Sequence, residues 1–304
     1  MGTENNRGIW YAISAFSMWG ILPLYWHYMN KVPALEILAH RIFWSFLFVA
    51  LLITVQKKWN DVIKVFQTWK VILAIFGCSL FISANWFIYI WAVNNGHVIE
   101  TSLGYYINPL ISIAFGMLFL RERLNSWQWV ALSFALIGVL IQTIEFGQFP
   151  WIALSLSVTF ALYGLSKKLI KVEAMTSLVL ETMMVAPFAL GYILFIEARG
   201  TGSITDLPVS NVLLLIGSGI ITALPLLWFA QGAKRVSLST LGFIQYLAPT
   251  IALVLGVFFF HEHFTKVNFI SFGFIWIAIL IYSLSQMKLL DRWFSRKSLV
   301  KERI

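Results

Sequence analysis

Apolar residues in this chain fall into ten long runs, at 8–29, 34–55, 71–93, 98–120, 127–143, 151–169, 177–196, 212–233, 238–260 and 267–287. Short polar gaps separate them. None alternates apolar and polar positions as a half-buried strand or a membrane-barrel strand would. A helix needs about 20 apolar residues to cross the hydrocarbon core, with a usual range of about 17–25, and all ten runs qualify. The pattern predicts an all-α integral membrane protein of ten transmembrane helices, with no soluble domain of any size.

Composition agrees with that solvent. Hydrophobic residues make up 60% of the chain and charged residues 12%, with a mean hydropathy of +0.81; a soluble domain carries about 25% charged residues. The net charge of +9 raises the question of a nucleic-acid partner, and its distribution answers it. With the N-terminus in the cytoplasm, the inner gaps hold Lys57, Lys58, Lys64, Lys70, Arg121, Arg123, Lys167, Lys168, Lys171, Lys234 and Arg235, and the tail beyond 287 is basic. The outer gaps hold Lys31, Arg199 and Lys266. Lys and Arg accumulate in cytoplasmic loops, so both termini are expected inside and the basic excess is a topology signal, not a nucleic-acid footprint. A lone Cys78 excludes an intrachain disulfide framework. The first run is longer than the apolar core of a signal peptide and is expected to be retained.

The chain repeats itself. "FLRERLN" at 119–125 returns as "FFHEHFT" at 259–265, and at the same lag of 140 residues Gly77, Tyr106, Pro109, Gly116 and Glu122 return as Gly217, Tyr246, Pro249, Gly256 and Glu262. Each unit holds five runs, an odd number, so the second enters the membrane inverted relative to the first. Inversion accounts for the substitutions as well. Arg121 and Arg123 on the inner side become His261 and His263 on the outer side, and Asn94–Asn95 outside become Lys234–Arg235 inside. The expected organisation is a first repeat at 1–145, a second inverted repeat at 146–287, and a basic cytoplasmic tail at 288–304. Glu122 and Glu262 read most simply as local partners of the basic and titratable residues beside them.

Motifs of soluble enzymes are missing: there is no phosphate-cradling glycine loop, no H-E-x-x-H and no G-x-S-x-G. His261 and His263 are two apart and would diverge on a helix, so no metal site is expected. The informative residues are polar groups at depth, because an Arg or Asp at a helix centre costs roughly 2.5–3.5 kcal/mol on insertion scales and usually faces a cavity or a partner. The second run carries Glu36, His40 and Arg41; the seventh carries Glu181 at a depth matching His40 from the opposite side. Such groups serve either as a structural clamp or as a pathway. In the third run Asn85 and Tyr89 share a helical face. "SLGYYINP" in the fourth run and "TLGFIQYLAP" in the ninth carry Gly104 with Pro109 and Gly242 with Pro249, expected as helix breaks. Interrupted segments in corresponding places of two inverted halves point to a transporter's binding site. Tyr105, Tyr106, Asn108, Gln245 and Tyr246 cluster around them. Tyr163 and Trp19 are weaker candidates that ordinary aromatic packing explains equally well.

Together "LEILAHRIFWS", "NWFIYIWAVNNGHVIETSLGYYINPL", "FLRERLNSWQWVAL" and "STLGFIQYLAPTIALVLGVFFFHEHF" resemble the RarD proteins, in the EamA branch of the drug/metabolite transporter superfamily of bacterial inner membranes. The resemblance covers nearly all ten runs. It implies two inverted five-helix repeats with the fifth and tenth helices peripheral, and a label tied to chloramphenicol sensitivity without a defined physiological substrate. His261 and His263 depart from the family, whose second-half segment more often reads Gly-Glu-Pro.

The expected protein is therefore a non-enzymatic secondary transporter of a small organic metabolite or drug-like molecule, exporting by rocking of its two bundles. Asn85, Tyr89, Tyr105, Tyr106, Asn108, Gln245 and Tyr246 would line the midplane site, and His40, Arg41 or Glu181 the coupling pathway. No cofactor is expected. The partners are the substrate, the bilayer and, for a coupled carrier, protons, with a homodimer left open. The rival reading is a non-transporting membrane sensor or scaffold of the same helical fold, which would not need cavity-facing polar residues in both halves.

Overall fold

The computed structural model describes residues 2–29, 31–204, 207–261 and 265–286. Glu262, His263 and the tail at 288–304 lie outside the described residues. The described part is all helical: α1 (Gly2–His27), α2 (Ala34–Val55), α3 (Trp59–Phe66), α4 (Trp69–Asn94), α5 (Val98–Leu120), α6 (Ser126–Phe146), α7 (Trp151–Leu169), α8 (Ala174–Ala198), α9 (Val209–Arg235), α10 (Leu238–Gln245), α11 (Leu247–Phe258) and α12 (Lys266–Gln286). Among the described residues, eight spans are long and apolar enough to cross a membrane: α2, α4, α5, α6, α8, α9, α12 and the α10–α11 pair taken as one. The protein is therefore a multi-pass membrane protein. Among the runs predicted to span, α1 and α7 fall short of that apolarity, for visible reasons. The first turns of α1 read "GTENNR". α7 carries Ser155, Ser157, Thr159, Tyr163 and Ser166, and it packs against α4, α5, α9 and α10, so it presents polar groups to protein.

α3 occupies a gap that the hydrophobic pattern left as loop. It is too short to cross a bilayer and is amphipathic, burying Val62 and Val65 while Asn60, Asp61 and Lys64 stay exposed. Lys58, just before it, pairs with Glu173 at 2.7 Å and fastens this surface helix to the start of α8.

The two predicted helix breaks behave differently. α5 is continuous through Gly104 and Pro109, whereas the ninth run divides into α10 and α11 at Tyr246. The sequence difference is spacing: two more residues separate Gly242 from Pro249 than separate Gly104 from Pro109. Pro249 consequently lands in the first turn of α11, where its missing N–H costs little. Both glycines serve close approach. A Cβ on Gly242 would lie 2.8 Å from the Pro109 carbonyl oxygen of α5, and one on Gly104 would lie 3.4 Å from the Ala153 backbone of α7.

Small residues and hydroxyls set the other crossings, as expected where lipid supplies no hydrophobic drive between helices. Ser45 of α2 donates to the Gly219 carbonyl of α9 at 2.9 Å, and Ser79 of α4 to the Glu181 carbonyl of α8 at 3.1 Å. Ser157 of α7 donates to Gly104 of α5 at 3.0 Å, and Ser271 of α12 to Gly138 of α6 at 2.7 Å. The repeated phrase ends its helices alike: Arg121 (φ 53°) and His261 (φ 55°) both take the left-handed conformation. Glu122 does not pair with the arginines beside it. Its carboxylate reaches α10, accepting from the backbone N–H of Leu238 (2.6 Å) and Ser239 (2.8 Å) and from the Ser239 hydroxyl (2.7 Å). It thereby caps orphan N–H groups at a helix N-terminus.

The α2–α9 crossing makes a stability prediction. A Cβ on Gly219 would come within 2.6 Å of the Ser45 backbone nitrogen and closer still to Trp44, whereas a Cβ on Gly191 meets nothing within 4 Å. Gly219→Ala is expected to cost about 1–3 kcal/mol by overpacking, and Gly191→Ala to be neutral or stabilising by up to about 1 kcal/mol. Melting temperatures in detergent measure both. An unchanged value for Gly219→Ala would show that α2 and α9 do not approach this closely.

Candidate functional site

α2 enters the bundle with Glu36, His40 and Arg41 on its first two turns, and each finds a different environment. Glu36 is buried and accepts from the Ser203 N–H and hydroxyl, both at 2.8 Å, tying α2 to the loop before α9. His40 is also buried; its Nδ1 accepts from the Trp44 indole N–H at 3.2 Å, one turn on, and its Nε2 has no protein partner. Arg41 points to the centre. Its Nε donates to the Thr222 hydroxyl of α9 at 3.0 Å, and its guanidinium lies 4.8 Å from the Trp26 ring of α1 and 5.5 Å from the Trp86 ring of α4. The side chains of Tyr89 (α4) and Tyr105 (α5), with ring centroids 6.4 Å apart, lie within its electrostatic reach.

A second polar group lies between α7 and α8. Lys167 is fully buried in the last turn of α7, although its position beside Lys168 and Lys171 suggests a loop charge. Its ammonium pairs with Glu181 Oε1 and donates to the Ser177 hydroxyl at 3.1 Å, and Ser177 donates to the same carboxylate oxygen at 2.5 Å. The carboxylate's other oxygen, Oε2, has no protein partner, and neither do the Tyr163 and Ser83 hydroxyls. All three residues line one internal cavity of about 20 Å³, bounded also by Ile42, Ser79, Trp86 and Thr182. A space of that size holds a single water, which needs two to four polar partners. Trp86 is common to this cavity and to the Arg41 cage.

The sequence-derived candidates separate into groups. Tyr89 and Tyr105 pair with each other within electrostatic reach of Arg41. Asn85, one turn before Tyr89, is committed to α7, its amide donating to the Leu156 carbonyl (2.8 Å) and the Thr159 hydroxyl (3.0 Å). Trp19 and Tyr163 join an aromatic cluster with Phe16, Phe160 and Phe229, in which Tyr163 stacks on Phe229 at 5.7 Å. Tyr106 turns away from Tyr105, as adjacent positions on a helix must. It packs edge-on against Phe272 of α12 at 5.2 Å, close to the fully buried Tyr246. Gln245 is buried beside the α10–α11 break with its Oε1 unpartnered, and Asn108 takes a long contact of 3.5 Å from Ser112. Sequence reasoning missed Trp26, Trp86 and Thr222 around Arg41, and Lys167 as the partner of Glu181. One signal was available for Lys167: it follows Tyr163 by one helical turn and shares its inward face.

An all-helical, multi-pass membrane protein with charged and aromatic groups converging at depth has the character of a carrier. A profile of the EamA-like transporter family matches residues 6–144 and again 150–284, and the chain belongs to that family. It is 46% identical to the uncharacterized transporter YojE of Bacillus subtilis over 94% of this chain and 96% of the relative. To Protein RarD of Escherichia coli K12 it is 43% identical over 92% of this chain and 94% of that one. A crystal structure at 20% identity superimposes with a TM-score of 0.71 over 92% of this chain and 98% of the other, which establishes a shared fold and nothing further.

The buried pair gives a prediction. Lys167→Met alone leaves a carboxylate without its counter-charge and is expected to cost about 3–5 kcal/mol, whereas Lys167→Met/Glu181→Leu, which removes both charges, recovers most of that loss. Thermal unfolding in detergent provides the cycle. Additive losses in the two single variants would contradict the pairing.

Proposed function

We propose that this protein is a secondary transporter that carries a small organic molecule outward across the bacterial inner membrane by alternating access. It would cross the membrane ten times with both termini in the cytoplasm, as two inverted five-helix halves: α1 to α6 (residues 1–145, α3 lying on the surface) and α7 to α12 (146–287). Membership of a transporter family supports the class. The convergence of side chains from both halves on one interior region, Trp26, Arg41, Trp86, Tyr89 and Tyr105 from the first and Thr222 from the second, is the observation that carries the reading.

Helix packing supports the inverted halves. Exchanging the halves turns the α1–α9 pairing into α7–α4, and α5–α7 into α11–α1; α2–α8, α5–α10 and α6–α12 each join a helix to its own counterpart. One exchange is unequal: α2 packs extensively on α9, while α4 touches α8 far less. The cavity beside Glu181 lies along that looser seam. Alternating access would exchange the tight and loose seams, closing α4 on α8 while α2 parts from α9.

Coupling to protons would use Glu181. One of its oxygens is held by Lys167 and Ser177 while the other faces the cavity with Tyr163 and Ser83, so a proton can arrive through water without breaking the backbone fold. His40, another titratable group at depth, lies near Glu36 and Glu197 with Trp44 on its accepting nitrogen.

The test is solute counterflow into proteoliposomes, with proton flux read in parallel. Wild-type protein is expected to exchange a substrate and to accumulate it under a pH gradient. Glu181→Gln should keep exchange and lose gradient-driven accumulation, and His40→Ala should keep both. Protein that exchanges none of a broad metabolite and drug panel would support the sensor or scaffold reading.

A further inference from the structure

Arg41 is a charge at depth with no counter-charge among the described residues. Counting along α2 at 1.5 Å per residue puts its Cα about 10 Å into the helix, and its side chain turns inward to Thr222, Trp26 and Trp86. Among the described residues no carboxylate pairs with it, and the embedded carboxylates are engaged elsewhere: Glu36 by Ser203, Glu181 by Lys167 and Ser177, Glu100 by the Ile152 N–H at 2.8 Å, and Glu197 by the Ile204 N–H at 3.2 Å. Among the described residues, its Nε alone of the five N–H donors is used, on Thr222. A cation held at depth by a protein is otherwise paired or faces an aqueous path. Near it Tyr105, its ring 6.4 Å from that of Tyr89, is 50% exposed.

Resting on the transporter reading, we infer that Arg41 is the binding group for organic anions, specifically carboxylates carrying a flat unsaturated or aromatic body. The guanidinium is the chemistry for it. Its planar fork offers paired donors to a carboxylate, and cation–π contact with the Trp26 and Trp86 rings, at 4.8 and 5.5 Å, holds the guanidinium in place. Tyr89 and Tyr105 give the body ring surface and hydroxyl edges. Lys at this position would supply charge without the fork, and a neutral side chain would supply neither.

Equilibrium binding tests this without transport. Purified full-length protein in detergent is titrated with matched pairs, each an aromatic or aliphatic carboxylic acid and its methyl ester, beginning with indole-3-acetate, its methyl ester and the amine tryptamine. Melting temperature and quenching of tryptophan fluorescence report binding. Acids are expected to stabilise the protein and quench its fluorescence, and esters and amines to do neither. Arg41→Gln should weaken acid binding roughly tenfold or more, the scale of a charge-assisted hydrogen bond, with Arg41→Lys intermediate. Esters binding as well as acids, an Arg41→Gln protein with unchanged acid affinity, or no acid binding up to 10 mM across the panel would overturn the inference; that ceiling is about the weakest affinity useful to a carrier, on the order of 3 kcal/mol. If Arg41→Gln does not fold, Arg41→Lys and the acid–ester comparison on the wild-type protein decide. Counterflow of neutral or cationic solutes without acid binding would overturn this inference and leave the transporter reading standing. Arg41-dependent acid binding without any counterflow would do the reverse.

Discussion

Hydrocarbon offers no hydrogen bonds, so every polar group these helices carry into the bilayer must be answered from within the protein or open onto water. That constraint organises the molecule. It is met by stitching helices in pairs, a small residue allowing close approach and a hydroxyl closing the contact on a facing carbonyl. Ser45 on Gly219, Ser157 on Gly104 and Ser271 on Gly138 repeat the device. Glu122 extends it from one half to the other by capping α10. Where each helix pair is tied in this way, the bundle is defined without large loops or a soluble domain.

We propose that function enters where the stitching stops. Arg41 has one protein acceptor for five donors, and Glu181 has one oxygen answered and one facing a cavity. Both lie along the meeting of the two halves and share Trp86 as a wall. Their separate, incomplete satisfaction fits two tasks that a coupled carrier must keep apart, holding a solute and moving a proton.

Much of the fold was legible in the sequence because membrane helices write themselves as apolar runs whose ends coincide closely with the helices observed. The two halves were legible in the repeated phrase: the family profile matches each of them, and Arg121 and His261 share a left-handed backbone despite their different side chains. The site was less legible. Polar positions at depth could be recognised, but helical spacing does not say which neighbour answers them. Asn85 and Tyr89 share a face on α4, yet one is committed to α7 and the other pairs with Tyr105. Lys167 looked like a loop cation because its partner, Glu181, is contributed by another helix. Consecutive Tyr105 and Tyr106 were grouped by proximity in sequence, although about 100° of helical rotation sends them to different interfaces. The division of α10 from α11 depended on two extra residues whose effect appears only once Gly242 is seen packed against α5.

The central claim is that polar side chains from both halves enclose a water-accessible pocket inside the membrane. It is tested most directly by reacting single cysteines, in a Cys78→Ala background, with a charged thiol reagent in proteoliposomes. Tyr105→Cys, inside the proposed pocket, should react, and Phe188→Cys, at a position 78% exposed on the outer face of α8, should remain inert in lipid. Equal reactivity at the two positions, or an inert Tyr105→Cys beside a reactive Phe188→Cys, would contradict the account.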